Sequence, residues 1–210
     1  MQIKWIAHSC FLLQDSKGRK LLTDPFDESL GYNIFQGEVD IITISHSHFD
    51  HCYTKKIKCN HIVNKTGLFN LCEINVTGIP SYHDKVSGAK RGENIIFIIE
   101  MDNYRICHLG DIGYILPEEE LKKLGNIDIL LIPIGGNFTI NGKEAAELAK
   151  AINSHIVIPM HYKTSYLTFE LEGLDQFLRY MKNAERIKSN TLIIENELRG
   201  HNMVNILDFN

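Results

Sequence analysis

The chain has 210 residues, 44% of them hydrophobic, which is enough for one domain with a sizeable core and too few for two ordinary domains. The chain has 22 lysines and arginines and 26 acidic residues, which gives a net charge of -4. This charge does not indicate a nucleic-acid partner. No apolar run approaches the roughly 18 residues of a membrane span, and the N-terminus lacks the apolar core of a signal peptide. We therefore expect a cytoplasmic protein with a single domain over residues 1–210 and no membrane partner.

Short apolar runs alternate with turn signals in the first half of the chain. Six runs rich in Ile, Val and Leu predict strands at residues 2–7, 10–14, 20–23, 39–45, 94–100 and 104–109. Turn residues at 16–19 and 102–103 separate successive runs and predict two hairpins. For this half we predict a largely antiparallel sheet.

Helical periodicity appears in the second half. Asn141 is a predicted N-cap, and Glu144 follows it in the first turn. The apolar residues after this cap share one helical face: Ala145, Leu148, Ala149 and Ile152. Two further helices are predicted at 117–124 and 170–185, with strands at 127–133, 155–159 and 191–195. The fold class is therefore α/β, with sheets covered by helices.

Three histidines and one aspartate, all residue types that bind metals, follow directly after the predicted strand 39–45. The segment is His46-Ser47-His48-Phe49-Asp50-His51. Strand ends are common positions for active-site loops. In extended backbone, His46 and His48 would point the same way and share one metal ion. A turn would then let Asp50 and His51 face a second ion. The alternative is a histidine-rich surface loop without a metal.

The pattern H-x-H-x-D-H resembles the metallo-β-lactamase superfamily, in which an isolated His, an Asp and a last His follow. The matching positions here are His83, Asp111 and His161. The resemblance implies that one ion is bound by His46, His48 and His83, that a second is bound by Asp50, His51 and His161, and that Asp111 bridges both. It also implies the αββα four-layer sandwich, two mixed sheets packed face to face with helices outside.

Within that superfamily the chain looks most like the small hydrolases related to ascorbate-6-phosphate lactonase. Three short segments carry this likeness, at residues 5–11, 22–26 and 132–139. Ala7 departs from the glycine that this group usually has before His-Ser. The likeness implies a small-molecule substrate, such as a phosphodiester, a sugar-phosphate lactone or a related ester. It leaves homo-oligomerisation open.

Several neighbouring residues have roles that the sequence leaves open. His108 lies three positions before Asp111 and should face the opposite side of its strand, which favours a supporting or core role. Asp24 is expected to orient a ligand histidine through its ring N–H. His8 is a candidate catalytic proton shuttle at the pocket mouth, or else it satisfies backbone groups. Three more residues are candidates for substrate contact: Asn137, Thr139 and Tyr162.

Imidazole and carboxylate ligands without thiolates suit two divalent metal ions, zinc first, with manganese or iron as alternatives. Because bound metal lowers the pKa of water toward about 7, a hydroxide shared by the two ions can attack at neutral pH. Asp50 would be catalytic as well as a ligand, since it can orient this hydroxide and take its proton. The predicted activity is metal-dependent hydrolysis.

Proteins that resemble this fold can also have functions other than small-molecule hydrolysis. A flavodiiron-type reductase would place Glu where His48 stands and would add a flavin domain. A non-catalytic scaffold would not be expected to keep a ligand at every position. Nuclease members of the superfamily carry an extra domain or arm, for which 210 residues leave little room.

Overall fold

The computed structural model describes residues 1–195 and 197–209. The strands of these residues, numbered in chain order, are β1 (Gln2–Ala7), β2 (Cys10–Gln14), β3 (Lys20–Thr23), β4 (Gly37–Thr43), β5 (Ile57–Val63), β6 (Gly67–Leu71), β7 (Ile74–Tyr82), β8 (Glu93–Met101), β9 (Tyr104–His108), β10 (Ile129–Pro133), β11 (Ile156–Met160), β12 (Ala184–Arg186), β13 (Thr191–Ile193) and β14 (Met203–Ile206). The helices are α1 (Glu118–Leu124), α2 (Gly142–Ile152), α3 (Leu174–Leu178) and a short 3-10 helix (Glu28–Leu30). Among the described residues, none of these helices has the length and apolar character needed to cross a membrane.

The strands form two mixed sheets. The first sheet has the order β13-β1-β2-β3-β4-β5, and the second has the order β12-β14-β11-β10-β9-β8-β7-β6. The expectation of a largely antiparallel sheet for the first half is wrong in two respects. The strands of that half are divided between both sheets, and β3, β4 and β5 pair in parallel. The chain passes from one sheet to the other between β5 and β6, which the periodicity of separate runs cannot report.

The apolar faces of the two sheets pack against each other. Along β1, Ile3, Trp5 and Ala7 are buried while the residues between them are more exposed, as a strand with one covered face requires. Every residue of β10 and β11 is buried, because the outer side of these parallel strands is covered as well. The apolar face of α2 contributes to this same core. This arrangement confirms the predicted sandwich.

The predicted helix at 170–185 is wrong except for α3. Gly173 interrupts the apolar stripe and stands at the N-cap of α3 without a side-chain capping bond. The preceding Glu172 donates its backbone N–H to Gly135 O at 2.7 Å, so its backbone serves a loop contact. The chain then enters β12 where the helix was expected to continue.

Strand direction brings several loops to one edge of the sandwich. β7 and β9 are both antiparallel to β8, and β9, β10 and β11 are mutually parallel, so their carboxyl ends lie at the same edge. The segment after β4 reaches this edge from the first sheet, where Ser45 O accepts the backbone N–H of Ile95 at 2.9 Å. Loops from both sheets therefore meet there.

Candidate metal centre

The structure brings the predicted ligand residues together at this edge. Four of them follow β4, and one each follows β7, β9 and β11: His46, His48, Asp50 and His51, then His83, Asp111 and His161. Among the described residues, three groups offer ligand atoms that all lie within 4.8 Å of one another. The first is His46 with His48 and His83, the second is His8 with Asp50, His51 and His161, and the third is Asp24 with His46 and His51. Apart from His8, the first two are the sets that the resemblance implied.

Asp111 lies between the first two groups. Its Oδ2 is 3.2 Å from His51 Nε2 and 3.1 Å from His161 Nε2, both of the second group. The same oxygen is 3.2 Å from His83 Nε2 and 3.9 Å from His46 Nε2, both of the first group. One carboxylate oxygen therefore contacts imidazoles of both groups, which is the position required of a bridging ligand.

The backbone before Asp111 is shaped for close approach. Gly110 has a φ of 56°, and a Cβ there would lie 2.3 Å from Asn94 Oδ1 and 2.7 Å from Ser45 Cβ. Asn94 Oδ1 accepts the backbone N–H of Asp111 at 2.9 Å, and its amide nitrogen donates to Leu109 O at 2.9 Å. Asn94, which the sequence analysis did not identify, thus fixes the strand end that carries the carboxylate.

Asp24 supports the histidines from behind. Its carboxylate is fully buried and accepts from the backbone N–H of Ser45 at 2.7 Å and from the Ser45 hydroxyl at 2.5 Å. Asp24 Oδ2 also lies 2.9 Å from His51 Nδ1, and Ser45 Oγ lies 2.9 Å from His46 Nδ1. These contacts leave the Nε2 atoms of both histidines directed to the cluster, as the expected role of Asp24 requires.

Three residues of the centre have left-handed backbone conformations. The φ angles are 54° for His8, 37° for Asp24 and 49° for His161. Such values are uncommon for residues with a Cβ and are concentrated at functional sites. The turns are therefore shaped to present these side chains.

Burial and charge determine the protonation of the centre. Burial, reinforced by the neighbouring His51, lowers the pKa of His46 to about 3, so its imidazole is neutral and its lone pair is available. Burial alone would lower the pKa of His51 too, but the carboxylates of Asp111 and Asp50 hold it well above its usual value. Burial would raise the pKa of Asp111, and nearby His161 and His51 hold it well below its usual range. The carboxylates of Asp50 and Asp111 therefore favour a positive charge between the ligand groups. In the metal-free protein, the protonated imidazole of His51 carries this charge.

The residues present fit a metal centre. Several buried atoms of the cluster have no hydrogen-bond partner among the described residues, and they include His46 Nε2, His51 Nε2 and Asp111 Oδ1. The donors are imidazole nitrogens and carboxylate oxygens, without thiolates, a set that suits zinc, manganese or iron. The clusters can therefore hold metal.

His8 and His108 are both buried but differ in role. The expectation that His8 lies at the pocket mouth is wrong, because the turn between β1 and β2 directs its side chain inward, where Nε2 is 3.2 Å from Asp50 Oδ2. Burial lowers the pKa of His8 to about 4. His108 lies outside both groups, since Nε2 is 2.9 Å from Ser9 O and Nδ1 accepts the backbone N–H of Gly110 at 3.1 Å.

A cavity of about 280 Å³ opens beside the centre. It is lined by His48, Phe49, Asp50, Arg91, Phe138, His161 and Phe169. Arg91, Phe138 and Phe169 were not predicted as pocket residues, because they lie in loops whose folding carries no periodic signal. Asn137 and Thr139 line a neighbouring cavity with His83. The expected substrate contact of Tyr162 is wrong, since its buried ring stacks on Trp5.

Comparisons with known proteins agree with this geometry. Residues 2–161 match the family described as the β-lactamase superfamily domain. The chain belongs to the metallo-β-lactamase superfamily. A UPF0173 protein of Pyrococcus furiosus is 35% identical over 184 residues, which cover 78% of this chain and 84% of that protein. A UPF0173 metal-dependent hydrolase of Thermoplasma acidophilum is 32% identical over 191 residues, covering 78% and 84%.

A solved structure extends the similarity to the whole fold. A Thermotoga maritima protein assigned to the Zn-dependent hydrolases of the metallo-β-lactamase superfamily is 33% identical, with a TM-score of 0.85. The alignment covers 100% of this chain and 99% of that one. The prediction of a metal-dependent hydrolase of the metallo-β-lactamase superfamily is therefore confirmed.

Proposed function

We propose that the protein is a dinuclear hydrolase that cleaves a small phosphodiester, a sugar-phosphate lactone or a related ester. The observation that carries this proposal is the position of Asp111 Oδ2, which lies 3.2 Å from His83 Nε2 of one ligand group and 3.1 Å from His161 Nε2 of the other. A single shared carboxylate between two clusters of donors is the arrangement that two-metal hydrolases use.

The proposed ligands are those of the two groups. One ion would be held by His46, His48 and His83 and the other by Asp50, His51 and His161, while His8 of the second group would contact Asp50 without binding metal. Asp111 lies between the two sets. Zinc is the proposed metal, with manganese or iron as alternatives. When bound, such a pair of ions supplies a nucleophile from water at neutral pH and polarises the scissile carbonyl or phosphoryl oxygen.

Asp50 is the proposed proton acceptor. Burial would raise the pKa of this carboxyl group, but the charge of His51 and hydrogen bonds from His51 and His8 hold it well below its usual value. Asp50 is therefore ionised, and it borders the cavity from which water and substrate arrive. His8 Nε2, 3.2 Å from Asp50 Oδ2, fixes the orientation of the carboxylate from the buried side.

The position of the three lactonase-like segments supports a small substrate. The segments at 5–11 and 22–26 place His8 and Asp24 against the ligand groups, and the segment at 132–139 contributes Phe138 to the cavity wall. The cavity of about 280 Å³ is close to the lower end of the size range of small-molecule sites.

Metal analysis combined with a substrate screen tests the proposal. Purified protein should contain close to two transition-metal ions per chain by elemental analysis. It should hydrolyse bis(4-nitrophenyl) phosphate or a sugar-phosphate lactone, with little activity on a β-lactam. Chelation should abolish this activity, and added zinc should restore it. Fully active protein without bound metal would overturn the proposal, whereas cleavage of β-lactams alone would overturn only the substrate class.

A further inference from the structure

Arg91 lies where three cavities around the metal centre meet. It lines the cavity of about 280 Å³ together with Asp50 and His161. It also borders a cavity of about 350 Å³ that contains His46 and one of about 340 Å³ that contains His83. A ligand in any of these three cavities would therefore lie beside Arg91.

The loop that carries Arg91 is fixed by one carboxylate. Asp84 accepts four backbone N–H groups at 2.8 to 2.9 Å, those of Val86, Gly88, Lys90 and Arg91. The Arg91 side chain is held as well, because Nη2 donates to Asn137 O at 3.1 Å and the guanidinium lies 4.6 Å from the centroid of the Phe138 ring. Arg91 is thus preorganised.

The guanidinium nevertheless has no carboxylate partner among residues 1–195 and 197–209. A guanidinium carries five N–H donors, and the bond to Asn137 O uses one of them. The remaining donors suit the fork geometry of a carboxylate or phosphate group.

Aromatic rings form the other wall of this cavity. Phe169 lies 6.2 Å from Phe49 and 6.2 Å from Phe138, measured between ring centroids, and both pairs are edge to face. Phe49 is 54% exposed, although it belongs to the metal-binding segment. Phe138 and Phe169 are half-buried. Apolar rings that face a few converging polar side chains across a cavity are typical of a ligand site.

We propose that Arg91 binds an oxyanion of the substrate that is distinct from the scissile bond, while Phe49, Phe138 and Phe169 contact the apolar or flat body of the molecule. The inference rests on the proposed function, because the metal centre opposite is taken to hold the scissile group. The substrate class is thereby narrowed to an ester or phosphodiester that carries a further carboxylate or phosphate group.

Two matched probes test the anion site. Benzenesulfonate carries a permanent charge and coordinates metals weakly, and methyl phenyl sulfone is its neutral analogue. In NMR titrations of the metal-loaded protein, the sulfonate should bind more tightly than the sulfone. Arg91→Gln should weaken sulfonate binding about tenfold or more, toward the affinity of the sulfone. Arg91→Lys keeps the positive charge but lacks the planar, two-pronged donor geometry of the guanidinium. Its affinity for the sulfonate should lie between those of the unmodified protein and Arg91→Gln.

Lys90→Gln is the matched control, since Lys90 is the exposed neighbour on the same loop. Its sulfonate affinity should stay within about threefold of that of the unmodified protein. Equal losses for Lys90→Gln and Arg91→Gln would overturn the proposal in favour of a general electrostatic field. Absence of sulfonate binding by the unmodified protein would also overturn it.

The same titrations on chelated protein, with metal content measured for each variant, separate this inference from the proposed function. If Arg91→Gln weakens binding with and without metal, the anion site is supported even where the hydrolase proposal fails. If chelation removes the affinity and Arg91→Gln leaves it unchanged, the anion binds at the metals and the assignment to Arg91 is wrong.

Discussion

Asp111 and His108 lie three residues apart but have different surroundings. Asp111 Oδ2 contacts imidazoles of both ligand groups, whereas both ring nitrogens of His108 lie within hydrogen-bond distance of backbone groups. Asp111→Ala should reduce the metal content below one ion per chain, because two cations at roughly 3.5–4 Å would repel without the shared carboxylate. His108→Ala should retain both ions and lose some stability. Elemental analysis of the two variants decides the assignment, which fails if His108→Ala loses an ion while Asp111→Ala keeps two.

The residues of the centre were more predictable than those of the pocket wall. The spacing of the segment 46–51 marked its histidines and its aspartate as candidate ligands. His108 lies outside both ligand groups, as expected, but Asp111 follows the end of β9, so the turn at Gly110 separates the two side chains and strand alternation does not. Arg91 gave no such signal, because its position depends on a loop folded around the Asp84 carboxylate. Hydrogen bonds from backbone N–H groups of a loop to one of its own side chains depend on the path of that loop, which one sequence does not reveal.

Helix α2 has a capping box at its start. The Asn141 side chain accepts the backbone N–H of Glu144 at 2.9 Å, and Glu144 Oε2 accepts the backbone N–H of Asn141 at 3.1 Å. Asn141→Ala should lower the free energy of unfolding by about 1 kcal/mol and leave the metal content unchanged. Urea unfolding measures the change, with the exposed Lys150→Ala on the same helix as the control. A loss no larger than that of the control would show that the cap contributes little.

Periodicity predicted α2 and nine of the strands, the edge strand β13 among them, but not β5, β6, β7, β12 and β14. β5 contains Lys58, Asn60 and His61, and most of its residues are exposed or half-buried. β6 lies at the edge of the other sheet and is equally exposed. Periodicity reports burial, so a strand formed mainly by hydrogen bonding to a neighbour leaves a weak pattern. Because β5 and β6 were not predicted, the passage of the chain from the first sheet to the second between them was not predicted either.

At the scale of the whole molecule, the metal-free protein should be most stable near pH 6.5. Burial lowers the pKa of His8 to about 4 and that of His46 to about 3, whereas unfolded histidines titrate near about 6.5. As the pH falls from about 6.5 toward 4, the unfolded chain therefore binds protons that the folded chain does not, and stability decreases.

His51 has the opposite effect. Burial would lower its pKa, but the charges of Asp111 and Asp50 hold it well above its usual value. As the pH rises above about 6.5, the unfolded chain releases a proton that the folded chain keeps, so stability decreases again until the folded pKa is passed. Each histidine contributes up to about 1.4 kcal/mol per pH unit within its window. Urea unfolding of chelated protein at pH 5, 6.5 and 8 tests this, and a stability that rose steadily across the series would contradict it.

Bound metal should stabilise the sandwich as a whole, because its proposed ligands come from both sheets. The segment 46–51 follows β4 of the first sheet, while His83, Asp111 and His161 follow strands of the second. An ion that binds only the folded chain, at a hundred times its Kd, adds about 2.7 kcal/mol, and a domain of this size gains about 2–4 °C per kcal/mol. Chelation should thus lower the Tm by about 10–20 °C if both ions are removed. Asp111→Ala, expected to hold less than one ion, should start from a lower Tm and respond less to the chelator. If chelation removes the metal and the Tm of the unmodified protein stays constant, the two sheets do not depend on the ions for their association, and the metal acts in catalysis alone.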